Sequence, residues 1–275
     1  MDRRVSRALR LLVLGAAAWL DTTVAAALNL TGYADDSGAI SVQREGATLD
    51  PYFALQALLL AHDSGLDARV PSVRWADWLA VRQKPDGTFD RFCRRGNVWA
   101  PCKTADADDA LLAMWLRFLE TMPQELVRRP LWRESHARAR RALAALLDPA
   151  RGIYLVSPVY QHGLFMDNLE VWHYKPAHRA ASASGKPGLT RAIRDVFWDL
   201  EQERFLVSTQ PEQRDQKHSF YPDAVAQIFP LWIGYPVPGA NGRQWYKRWQ
   251  EAHREEWLLQ VETDFAWGMV AIVAW

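Results

Sequence analysis

The sequence predicts an all-α fold: a toroid of helical hairpins of the (α/α)6-barrel type, open or incomplete. Three observations predict it. Aspartates stand at or near the opening of strongly apolar, aromatic-rich stretches of helical length, at Asp50, Asp106, Asp167, Asp223 and Asp264. The first four recur at nearly even intervals, with a shorter last step. Between them lie more polar helical stretches, around Trp75–Arg82, Glu134–Leu147, Thr190–Glu203 and Gln244–Leu259. Inner helices that are apolar nearly all round, alternating with amphipathic outer ones, describe a ring of hairpins. Inner helices of such a ring begin on one face, so their leading carboxylates converge, and glycosidic-bond chemistry needs paired carboxylates. Asp is also a favoured helix N-cap, because its carboxylate accepts orphan N–H groups of the first turn. Ser, Thr and Asn cap as well, so the repeated choice of Asp points to a shared site, with several of the five structural.

The elements follow in order. Residues 1–27 read as an export signal. Met1–Arg10 carries four Arg against one Asp, Ala8–Leu20 is apolar apart from Arg10, and small residues suit cleavage near Ala25–Ala27. Leu11–Leu20 is shorter than a membrane span; an uncleaved anchor reaching to Leu30 is the alternative. The signal implies a periplasmic or secreted protein whose single domain spans residues 28–275. Asn29–Leu49 reads as loop with an extended piece at Ala39–Val42. Asp50–His62 is the first inner helix, with Pro51 at its first position and Gly65 closing it. Val73–Gln83 is its outer partner, stopped by Pro85-Asp86-Gly87. Thr88–Val98 is a loop before the second inner helix, Asp106–Leu119, and Leu131–Leu147 is an Arg-rich outer helix with a solvated face. Gly152–Gln161 is a short strand or extended loop. The third hairpin pairs Asp167–Tyr174 with Thr190–Glu203 across a polar linker, Ser182–Gly188. Val207–Phe220 is an exposed loop. Asp223–Gly234 is the fourth inner helix, bent near Pro230. After a turn at Pro236–Gly242 come Gln244–Gln260 and Asp264–Trp275. Four hairpins and one helix fall short of the twelve helices of a closed six-hairpin ring.

The 275 residues carry 33 basic and 32 acidic side chains, a formal charge of +1. No basic footprint for nucleic acid results, and no Gly-rich phosphate loop follows a strand-like run. The absence of a Gly-x-Ser-x-Gly elbow argues against a serine hydrolase. The 14 Trp are core residues or platforms for sugar rings. Cys93 and Cys102 are the only cysteines. Export favours a disulfide between them, and without nearby His they do not make a zinc site. His162, His173 and His178 lack metal-ligand spacing, so neither metal nor cofactor is expected.

Three segments carry a resemblance. Thr104-Ala105-Asp106-Ala107-Asp108, Ser219-Phe220-Tyr221-Pro222-Asp223-Ala224 and Arg44-Glu45-Gly46 resemble the Asp-Ala-Asp, catalytic-base and general-acid segments of glycoside hydrolase family 8, the bacterial cellulase and chitosanase group, in the same chain order. They depart from its pattern at Arg44, at the inserted Pro222 and at the Arg missing after Asp223. The resemblance implies an inverting hydrolase of β-linked polysaccharide. Glu45 would be the acid, Asp223 the base and Asp106 a hydrogen-bonding partner of the distorted sugar, with acid and base about 6.5–9.5 Å apart. Phe165-Met166-Asp167-Asn168-Leu169 resembles the Asp-bearing helix start of unsaturated uronyl hydrolases, which would make Asp167 the catalytic group. Asp50, Asp108, His162, Glu170, Trp172 and Tyr221 complete the candidate set as substrate-binding residues, with Glu170 one turn from Asp167 and on its face. The implied partner is a polysaccharide or oligosaccharide, met by a monomer, with peripheral contact to an envelope polysaccharide machinery open to it. The rival reading is a non-catalytic glycan-binding or exopolysaccharide-assembly protein on a degenerate toroid.

Overall fold

The structure, a computed structural model, describes residues 26–180, 188–213, 218–239, 241–258 and 268–274. The first 25 residues of the predicted export signal, Asp264 and most of the Ser182–Gly188 linker lie outside them.

The helices are α1 (Pro51–Asp63), α2 (Arg69–Ala80), α3 (Asp108–Thr121), α4 (Gln124–Val127), α5 (Pro130–Ala145), α6 (Phe165–Tyr174), α7 (Leu189–Phe197), α8 (Val225–Ile233), α9 (Gly242–Leu258) and α10 (Gly268–Ala274). The strands are β1 (Thr48–Leu49), β2 (Asp90–Arg95), β3 (Val98–Thr104), β4 (Trp198–Asp199) and β5 (Arg204–Phe205). They form one three-stranded and one two-stranded antiparallel sheet. The all-α toroid is therefore corrected: the fold mixes helices with two small sheets.

Both sheets arise where the sequence reads as loop or helix. In β2 and β3, Phe92 and Trp99 bury while their charged neighbours stay outside. The two-residue turn Gly96-Asn97 closes the hairpin with Gly96 at φ 59, a conformation glycine adopts without penalty. The Cys93–Cys102 disulfide, as expected, ties the two strands together. The outer helix predicted to run to Glu203 stops at Phe197. There the Asp199 side chain accepts the backbone N–H groups of Glu201 and Gln202, a local turn that competes with helix and reverses the chain into β5.

The long helices otherwise alternate as their polarity suggests. α1 packs on α3, α3 on α6, α6 on α8 and α8 on α10, while α5 lies against α2 and α3, α7 against α6 and α9 against α8. α3 is buried almost all round, from Asp109 to Leu116 and again at Phe118 and Leu119. α5 buries one stripe, Trp132, Ser135, Ala139 and Leu143. Trp75, Trp115, Trp132, Phe89, Phe118, Phe165 and Phe205 fill the core. The indole N–H groups of Trp115 and Trp132 find Ser135 and Asp77, as a buried polar handle requires. Among the described residues no helix is long and apolar enough to cross a membrane.

Candidate active-site cleft

The starts of α1, α3 and α6 meet at a cleft of about 680 Å³, within the volume range of small-molecule sites. Asp50 caps α1, its Oδ1 accepting the backbone N–H of Tyr52 at 3.0 Å with Pro51 at the first helical position. Its Oδ2 is ion-paired with Arg91 Nε at 2.9 Å, and Arg91 Nη2 reaches Asp106 Oδ1 at 3.1 Å. Arg91 comes from β2, so the sheet that the helical reading omits supplies the cation that ties two of the predicted aspartates together. Asp106 stands open to solvent, 89% exposed, just ahead of α3. Asp167 and Glu170 enter from α6, one turn apart, and Tyr52 donates a hydrogen bond to Glu170 Oε1. Phe53, Tyr221, Phe229 and Trp232 give the same cleft an aromatic wall.

The electrostatics follow from burial. Glu170 is 2% exposed; burial, then the charge of Asp167, raises its carboxyl well above the usual range, against the Tyr52 hydrogen bond. Burial and then the charge of Asp106 push Asp167 up to about 7. Asp50 is raised by burial against the opposing pull of the Tyr52 N–H and Arg91. Burial raises the Tyr52 hydroxyl as well, and the charge of Glu170 adds to it. A carboxylic acid poised near neutrality at the wall of a cleft is suited to give or take a proton.

Of the predicted residues, the structure brings Asp50, Asp106, Asp167, Glu170 and Tyr221 together. Five others lie outside the cleft lining. Glu45 sits on an exposed turn with φ 56. Asp223 is in the π-helical turn Phe220–Ala224, where it accepts from Ser219 N at 3.0 Å and pairs with Arg204 Nη2 at 3.1 Å. Asp108 opens α3 on the side of Lys84, Asp86 and Asp90, and burial raises it to about 6. His162 lies in the loop before α6, its ring edge-on to Tyr160, and burial lowers its pKa. Trp172 is a core residue, 7% exposed, bonded to Thr190 Oγ1 and covered by the Arg179 guanidinium. Glu45 and Asp223, the expected acid–base pair, thus do not line this cleft, and the Asp223 carboxylate is engaged by Ser219 and Arg204.

Sequence reasoning missed Tyr52, Gln56 and Arg91. Tyr52 and Gln56 stand one turn apart on α1, which the cap at Asp50 implies. Among the described residues no group of His, Cys, Asp and Glu side chains is arranged to hold a metal ion. Neither the protein-family models nor the curated proteins compared with the chain give a match.

Proposed function

We propose that the cleft hydrolyses the glycosidic bond of a polysaccharide or oligosaccharide, with inversion, and that Asp167 is the proton donor. The observation that carries this reading is the convergence of Asp50, Asp106, Asp167 and Glu170 from three helix starts on one aromatic-walled cleft. The protonated form of Asp167 gives its proton to the leaving oxygen. Asp106, open to water and oriented by Arg91, activates the water that attacks the far face of the sugar. Tyr221 and Trp232 offer faces on which the apolar side of a pyranose packs. The family 8 resemblance implies Glu45 and Asp223 for these two roles; the cleft supports Asp167 and Asp106 instead. A compartment outside the cytoplasm is part of the proposal, supported by the Cys93–Cys102 bond and the export-like first 27 residues.

A second reading is hydration of the double bond of an unsaturated uronide. It is favoured by Asp167 as a single acid poised near neutrality and by Arg91 at the cleft wall, a cation suited to a uronic carboxylate. A panel of neutral, amino and uronic polysaccharides, assayed for new reducing ends with the first-formed anomer followed by NMR, tests the first reading. New reducing ends of inverted configuration are expected. Loss of ultraviolet absorbance from unsaturated uronides without cleavage of saturated chains selects the second. No turnover of either class defeats both and leaves glycan binding.

A further inference from the structure

The cleft continues past its carboxylates. α1 leaves the Asp50 cap and presents Phe53, Gln56, Ala57 and Leu60 to the cleft in succession, one side of the helix over two turns. From Asp50 to Leu60 the helix rises about 15 Å. The polar groups gather at its start. Arg91 joins Asp50 to Asp106, and Tyr52 joins Gln56 to Glu170, with Asp167 one turn from Glu170. Farther along α1 the lining residues are Ala57 and Leu60, and α8 and α10 add Phe229, Trp232 and Ile272. Phe53, Leu60 and Ile272 are each half exposed. A helix side that faces water ordinarily carries polar residues, and several half-exposed large apolar side chains in one cleft mark a surface made for an apolar partner.

A bare sugar chain does not suit that stretch. Its hydroxyl groups need hydrogen-bond partners once water leaves, and an aliphatic wall of Ala57 and Leu60 offers none. We propose that the substrate is a glycan carrying an uncharged alkyl or acyl chain, its sugar at the carboxylate cluster and its chain along the Phe53–Ala57–Leu60 stripe of α1. Charge selects how the chain is attached. Arg91 is the one cation among the described lining residues, and it stands against the carboxyl groups of Asp50, Asp106, Asp167 and Glu170. A phosphate or pyrophosphate linker would meet that excess of negative charge at close range, whereas an ether, ester or amide would not. The word substrate rests on the hydrolase reading; the apolar subsite rests on the lining alone.

The test is calorimetric binding of n-hexyl, n-octyl and n-decyl β-D-glucosides to the full chain, each below its micelle concentration, and it needs no turnover. Affinity should climb with chain length by at least about twofold per methylene, the ceiling being about fourfold for a methylene removed wholly from water. Leu60→Glu and Ile272→Glu, at half-exposed positions where the fold tolerates change, should each flatten that climb. Leu200→Glu, at an exposed position outside the cleft, should leave it as it is. Equal affinities for the three glucosides overturn the proposal, as does a climb that Leu60→Glu leaves intact, which would put the chain elsewhere on the protein. A dimer in sedimentation velocity that Leu60→Glu dissociates overturns it too, because a second copy would then cover the stripe. A climb with chain length in a protein that cleaves no glycan sinks the hydrolase reading and leaves the apolar subsite standing; cleavage of unsubstituted oligosaccharides with equal affinities for the three glucosides does the reverse.

Discussion

Replacing Asp167 by Asn should remove the pH dependence of stability that its site imposes. In the folded chain, burial raises the carboxyl to about 7; in the unfolded chain it titrates near ~3.9. A raised folded pKa means the native state holds the proton longer. Stability is therefore full below the unfolded value and is lost as pH rises through the folded one. Between pH 5 and pH 9 this loss amounts to about two pH units of linkage, or about 2–3 kcal/mol. Asparagine has the same shape and no such titration. Urea unfolding followed at pH 5, 7 and 9 measures the effect, with denaturant slopes checked for constancy. The stability difference, variant minus wild type, should grow by about 2 kcal/mol in favour of the variant across that range. Parallel stability curves would refute the reasoning, because they would mean that Asp167 meets water as freely in the folded chain as in the unfolded one.

Further outcomes follow from the same geometry. Asp223→Asn breaks the pair with Arg204 and the Ser219 contacts, so it should cost about 1–2 kcal/mol in chemical denaturation while leaving kcat on any accepted glycan within a factor of two. Arg91→Met strands Asp50, whose side chain is only 13% exposed; a loss of about 1–3 kcal/mol is expected, together with a raised KM. Replacing both Cys93 and Cys102 by Ser opens a loop of sequence separation 9 and should lower stability by about 2–3 kcal/mol on the chain-entropy account, read from the urea midpoint at constant slope.

Much of the helical framework was legible because it rests on local chemistry. Asp50-Pro51 announces a capped helix, and the run Leu111–Leu119 announces one buried on all sides. The sheets were not legible, for two different reasons. At Asp90–Thr104 charged residues and Gly96-Asn97 conceal an alternation whose buried members are only Phe92 and Trp99. At Trp198–Phe205 a helical pattern is interrupted by one side-chain turn at Asp199, a choice that propensity does not weigh. The cleft was half legible. Asp50, Asp106 and Asp167 head packed helices and converge as the repeat suggests. Asp223 heads one too, but its carboxylate turns back on Ser219 and Arg204. A spacing pattern reports where a side chain starts and not the partner it finds. Arg91 depends on contacts from a strand to residues ahead of two helices, and no local signal encodes it.

The central claim is that Asp167, and neither Glu45 nor Asp223, carries the proton in the cleft. It is tested most directly by single-turnover rates of the wild type, Asp167→Asn, Glu45→Gln and Asp223→Asn proteins on one glycan, with binding measured separately by calorimetry. The account predicts that Asp167→Asn loses at least two orders of magnitude in rate, in the range of general acid catalysis, with affinity retained and the other two variants near wild type. An Asp167→Asn protein that turns over at the wild-type rate, beside an inactive Glu45→Gln or Asp223→Asn protein, would contradict it.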